Sequence, residues 1–101
     1  MERLNSAKHF NEIVSENDLV FIDVYASWCG PCKQIAPAIE KLANEKRRIR
    51  FVKLDCEEFT EVSDGLKISS LPTFLLIKDK KIIKRVVGAD LSEVKEMLAS
   101  Y

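Results

Sequence analysis

Two cysteines with two residues between them, Cys29 and Cys32 in "WCGPCK", can close a disulfide with each other and open it again. Six residues before the first stands Asp23, a carboxylate inside the apolar run "LVFIDVY". Residues of these types at these spacings suit dithiol–disulfide exchange. A thiolate at Cys29 attacks a disulfide in a partner, Cys32 attacks the mixed disulfide that results, and a base takes the proton the second thiol loses. Asp23 is the candidate base. A lone carboxylate among Phe21, Ile22 and Val24 is costly to ionise, so its pKa is expected to rise toward neutrality, where it can accept and return one proton. Lys53, on a neighbouring expected strand, could modulate it.

Other readings stand beside this one. A purely stabilising disulfide across so short a loop contributes roughly 2 kcal/mol, against about 3 for a 15-residue loop. A zinc site wants four ligands, and the remaining candidates, Cys56 and His9, lie in no pair with ligand spacing. Two ordinary buried thiols are the third possibility, which the Gly-Pro insert and the position at a helix start count against. Asp23 could be a structural residue bonded to a loop, and Lys53 a solvated strand residue.

The elements that must hold these groups follow from periodicity. Ser6 can cap a short helix carrying Phe10, Ile13 and Val14, ending near Asn17 and Asp18. Leu19 to Tyr25 lacks strict alternation and reads as a strand buried on both faces, as in a parallel sheet. From Cys32 to about Arg47, Ile35, Ile39, Leu42 and Ala43 mark an amphipathic helix, with Pro31 near its start and a kinking Pro37 inside. Cys29 then sits where strand gives way to helix, the sheet edge at which sites collect in open α/β folds. There the free N–H groups and helix dipole favour a thiolate, and Cys32 is one turn further on.

Ile49 to Asp55 reads as another strand, and "FTEVSDG" as a short helix closed by Gly65 as a C′ residue. "TFLLI" and "KIIKRVV", joined through "KDKK", form an antiparallel hairpin ending at Gly88, and Asp90 with Glu93 starts a last helix with Leu91, Val94, Met97 and Leu98 on its apolar face. With a short first strand at Glu2 to Leu4 the order is β-α-β-α-β-α-β-β-α. The expected fold class is α/β, a central mixed sheet with helices on both faces, in a single domain spanning residues 1–101.

The chain has 101 residues, 47% of them hydrophobic, enough to bury a core without staples. Sixteen basic and sixteen acidic residues cancel, so no global field draws in nucleic acid or an anionic membrane. The polar start with Glu2, Glu12 and Glu16 suits neither a secretory nor a transit peptide, and no apolar run approaches the ~18 residues that span a bilayer. A soluble, cytoplasmic protein is expected, where a third cysteine, Cys56, and a reducing medium make the Cys29–Cys32 pair chemical rather than structural.

"WCGPCK" resembles the active-site motif of the thioredoxin family, and the resemblance runs over nearly the whole chain. Asp23, Pro37, Lys53, "LPTF" at residues 71–74 and Gly88 all fall where that family has counterparts. The resemblance implies the thioredoxin fold and a protein disulfide reductase with Cys29 attacking, Cys32 resolving and Asp23 as the buried acid/base. It would bind no cofactor and would be re-reduced by a thioredoxin reductase that uses NADPH. Its substrates would be disulfide-bearing proteins such as peroxidases or reductases, and it would act as a monomer. Trp28 would cover the site, Gly30 and Pro31 would meet the substrate, and Pro72 would follow a cis peptide bond beside the cysteines. The backbone near Leu71 would pair with extended substrate, and Trp28, Leu71, Val87 and Gly88 would form an apolar contact surface.

Three features depart from the family. Val24 stands where an aromatic is usual, "KDKK" lacks the usual turn glycine, and Cys56 is an extra thiol near the contact surface. Cys56 is either an exposed, oxidisable thiol or a small buried residue at a strand end. Two rival functions use the same fold: an oxidase or isomerase with a more oxidising pair, and a binding module without thiol chemistry. The basic residues from Lys78 to Arg85 read as a solvated hairpin, which leaves DNA and membrane binding unsupported.

Overall fold

The computed structural model describes residues 1–101. Ser6 accepts the His9 N–H at 2.9 Å, and that cap opens α1, Ala7–Glu16. Asn17 ends it, and the chain turns into β2, Leu19–Tyr25, whose first six residues are all buried. Next come α2, Gly30–Glu45, and β3, Arg50–Asp55; ahead of them a two-residue β1, Glu2–Arg3, lies on the edge of the sheet. The remaining elements are α3, Thr60–Gly65, then β4, Thr73–Lys78, β5, Lys81–Val87, and α4, Leu91–Leu98. The element order is the expected one. The boundaries move: α2 starts at Gly30 rather than Cys32, β3 at Arg50 rather than Ile49, and β1 stops at Arg3.

The strands order as β1-β3-β2-β4-β5, with β1, β3 and β2 parallel and β4 and β5 antiparallel. Side chains alternate across β2, and the alternation divides the interior in two. Leu19 and Phe21 join Ile39, Leu42, Phe74 and Leu98 beneath α2 and α4; Val20, Ile22 and Val24 join Ile13, Val52, Leu54 and Leu75 on the α1 and α3 side. Asp23 follows Phe21 on the α2 face. Val24, fully buried, fills the other core.

Two turns differ from the sequence reading. Gly65 is not the left-handed residue after α3: Lys67 is, at φ 58°. Ile68 N–H reaches the Ser63 carbonyl at 3.1 Å and Lys67 N–H the Asp64 carbonyl at 3.0 Å, the pairing of a Schellman cap, which places C′ two residues beyond the glycine. In the hairpin Asp79 and Lys80 both take positive φ, 50° and 71°, the backbone of a type I′ turn built without glycine. Asp79 N–H bonds the Asp18 carbonyl at 3.0 Å, which ties the turn to the start of β2. At the start of α4, Asp90 accepts the Glu93 N–H at 3.0 Å; only this half of the expected capping box forms. α2 runs through Pro37 without a break.

Candidate active site

Cys29 is the residue from which α2 starts. Its backbone is extended and its Sγ accepts the Cys32 N–H at 3.2 Å. A sulfur in this capping position faces the free N–H groups and positive end of a 16-residue helix, so the reduced pair is disposed to carry its charge there. Gly30 and Pro31 form the first turn, where the proline's missing N–H costs nothing. Cys29 and Cys32 are joined as a disulfide, both buried, with Cα atoms 5.3 Å apart.

The disulfide stands between two openings. A groove of about 640 Å³ is lined by Trp28, Cys29, Pro31, Cys56, Ser63 and Leu71, among others. A smaller cleft of about 270 Å³ is lined by Asp23, Tyr25, Cys32 and Lys53. Cys29 therefore opens on the wide groove and Cys32 on the narrow cleft.

In the cleft, Asp23 pairs across the sheet with Lys53 on one side and Phe74 on the other. It is 4% exposed, and no protein group hydrogen-bonds its carboxyl. Burial pushes its pKa up to about 6; the Lys53 charge pulls the other way and Glu40 on α2 adds to the rise. Lys53 is half-buried rather than solvated, with its Nζ 4.7 Å from the centre of the Tyr25 ring. It makes no salt bridge with Asp23, so it acts on the carboxyl through its field.

On the groove side the Leu71–Pro72 bond is cis. Pro72 is buried, and its carbonyl accepts the Gly88 N–H at 2.8 Å, which sets Gly88 beside it at φ 97°. Leu71 lies outside every strand and makes no backbone hydrogen bond within the chain. Trp28 is 66% exposed and Val87 54%. Trp28 and Leu71 line the groove; Val87 and Gly88 do not, and reach its neighbourhood through the pairing of Val87 with Thr73.

Cys56 is half-buried, with its N–H on the Tyr25 carbonyl at 2.9 Å, and it packs against both the α3-side core and the Cys29–Cys32 cluster. Burial, then Asp55 and Glu57, push its thiol up. Ser63, Asp64, Ile68, Ser69 and Ser70 also line the groove, and sequence reading missed all of them. Periodicity could mark α3 as a helix but not which flank it would present to Cys29. No group of three or more His, Cys, Asp or Glu side chains is arranged to hold a metal ion.

The thioredoxin family model matches residues 2–100. The chain belongs to the thioredoxin family. It is 39% identical over 98 residues to thioredoxin-1 of Saccharomyces cerevisiae, covering 97% of this chain and 95% of that one. A thioredoxin structure from Plasmodium falciparum superposes with a TM-score of 0.97 at 36% identity, covering 100% of this chain and 99% of the other. A chain from a study of thiol resolution in yeast mitochondrial 1-Cys peroxiredoxin through glutathione/thioredoxin systems superposes at 0.94 with 31% identity, covering 100% of this chain and 95% of that one. With this family's fold and the Cys29–Cys32 disulfide at the start of α2, the chain is a protein thiol–disulfide oxidoreductase. No helix is long and apolar enough to cross a membrane.

Proposed function

We propose that the chain works in the reducing direction, as a single cytoplasmic domain that passes electrons from its Cys29–Cys32 dithiol to disulfides in other proteins. The Cys29 thiolate attacks one sulfur of the target disulfide, forming a mixed disulfide and releasing the other target sulfur as a thiolate. Cys32 loses its proton to Asp23 and attacks the Cys29 sulfur. This forms the Cys29–Cys32 disulfide and releases the second target thiolate, so the target gains the two electrons the dithiol loses. The opening of Cys29 on the wide groove and of Cys32 on the cleft with Asp23 carries this reading. Attack and resolution thereby have separate faces.

The free backbone of Leu71 suits pairing with an extended substrate strand beside Cys29. Trp28, Val87 and Gly88 complete an apolar contact surface, Gly30 and Pro31 form its edge at the helix start, Pro72 sets the backbone, and Lys53 tunes Asp23. A thioredoxin reductase using NADPH returns the electrons, and disulfide-bearing proteins such as peroxidases are the recipients. The structural likeness to a chain studied with a peroxiredoxin supports that class.

The deciding experiment is the equilibrium reduction potential of the Cys29–Cys32 pair, followed by Trp28 fluorescence in graded dithiothreitol. A two-electron couple as reducing as the cytosolic pool supports the reductase. A markedly more oxidising couple makes it an oxidase or isomerase, since each 30 mV is about 1.4 kcal/mol.

A further inference from the structure

One wall of the groove that exposes Cys29 is built from Ile68, Ser69, Ser70 and Leu71, which belong to no helix or strand. The N–H groups of Ser69, Ser70 and Leu71 find no acceptor within the chain, so nothing inside the segment fixes its path. It is secured from its ends. On the β4 side the Thr73 hydroxyl donates to the Ser70 carbonyl at 2.6 Å, and Thr73 itself is buried between β2 and β5. On the α3 side the chain leaves the helix through the left-handed Lys67, and Ile68 N–H returns to the Ser63 carbonyl.

That second end leaves two carbonyls over. Those of Leu66 and Lys67 accept no backbone N–H, and carbonyls beyond a last helical turn need a donor from elsewhere. Arg85 supplies it. It lies on β5 opposite Leu75, which packs in the α3-side core, and side chains of cross-strand partners share a face. From there its Nη2 donates to the Leu66 carbonyl at 2.8 Å, and its Nη1, at a longer 3.5 Å, to the Lys67 carbonyl. Arg85 is exposed and forms no salt bridge, so its guanidinium is committed to the backbone that leads into the groove wall and not to a carboxylate. A planar fork of donors holds two carbonyls in a fixed relation, which a single ammonium does not.

Building on the pairing of substrate with Leu71 in the reductase reading, we propose that Arg85 is a positioning residue for the target chain: by clamping the end of α3 it sets the free backbone of Ser69, Ser70 and Leu71 in place along the groove before a substrate arrives. An extended target segment gains its main-chain hydrogen bonds from a wall already in position. Where the wall must be ordered during binding, that ordering is subtracted from affinity. Arg85 touches no reacting sulfur, so attack on a disulfide that brings no peptide backbone is indifferent to it.

Two disulfides separate these effects: a synthetic ten-residue peptide with one internal disulfide, and cystamine, which has no peptide backbone. Each is reduced by the dithiol protein in a stopped-flow instrument with Trp28 fluorescence as readout. In Arg85→Met, which keeps length and removes every donor, the second-order rate constant for the peptide is expected to fall about fivefold while that for cystamine stays near the wild-type value. Arg85→Lys, with one charged donor, recovers part of the loss. An unchanged peptide rate in Arg85→Met, an equal loss with cystamine, or a lysine variant no better than the methionine one overturns the role of Arg85 while the reductase stands. A wild-type chain that reduces the peptide no faster than cystamine removes the pairing at Leu71 and the role of Arg85 with it, and one that reduces neither overturns the reductase reading itself.

Discussion

Asp23 is held inside the central strand, where burial favours its neutral form over the ionised one. The unfolded chain ionises it near its ordinary value of about 3.9, and the folded chain near about 6. Between those values the folded protein keeps a proton the unfolded chain has lost, so stability falls as pH rises. The contribution is complete below pH about 4 and lost above pH about 6, roughly 3 kcal/mol in all for a shift of this size. Asp23→Asn is therefore expected to raise stability at pH 7 by about 2–3 kcal/mol in urea unfolding, to flatten the slope between pH 4 and 7, and to slow disulfide turnover. An unstabilised variant with normal turnover would remove Asp23 from the proton path. Cys56 offers the contrasting case. Its pushed-up thiol stays protonated at neutral pH, so iodoacetamide should label it far more slowly than Cys29 in the reduced protein, with a rate still climbing above pH 8. Mass spectrometry of timed samples separates the two sites.

Helix and turn boundaries show where this chain carries local cost. Lys67 and Lys80 both adopt a left-handed backbone, which costs an L-residue with a side chain roughly 1 kcal/mol or more relative to glycine. Both are exposed and neither side chain is in a salt bridge, so little else is lost on replacement. Lys67→Gly and Lys80→Gly should each stabilise the fold by about 0.5–1 kcal/mol and add nearly independently, because one closes α3 and the other turns the β4–β5 hairpin. The double variant's denaturant midpoint checks both. A different local contact secures β1: Arg50 meets Glu2 at 2.7 and 3.0 Å, and His9 adds its Nε2 at 3.2 Å. Asn5 N–H occupies His9 Nδ1, so a neutral ring carries its proton on Nε2 and donates it to Glu2. Three side chains thus hold a strand of two residues on the sheet.

Across the whole molecule, stability is concentrated in two cores separated by the sheet, and the site lies at the edge where both come to the surface. Ile39, fully buried between α2 and the sheet, should cost about 2–5 kcal/mol when cut to alanine. Ile82, 41% exposed on the outer strand β5, should cost no more than about 0.5 kcal/mol. Equal losses in urea unfolding would show that β5 packs more tightly than its exposure indicates. Charge also acquires meaning only at this scale. Sixteen acids and sixteen bases sum to nothing, but the parallel strands β2 and β3 end at one edge, where Asp55, Glu57 and Glu58 follow, and the turn Lys46–Arg48 precedes β3 at the other.

The sequence by itself determined the element order, the pairing of two thiols at a helix start and the presence of a carboxylate that burial would push toward neutrality. Those depend on neighbours within a few residues and on hydrophobic periodicity, which any reader of the chain can count. The exact strand Leu19–Tyr25 and the Ser6 cap were legible for the same reason. Only the tertiary structure decided which opening each cysteine faces, because that depends on sheet alternation combined with the packing of α2 and α3 on opposite faces. It also decided that Lys67, not Gly65, closes α3, since a Schellman cap is set by the carbonyls it must satisfy rather than by the nearest glycine. The groove wall of Ser63, Asp64, Ser69 and Ser70 comes from residues more than thirty positions beyond Cys29, and nothing but folding brings them beside it.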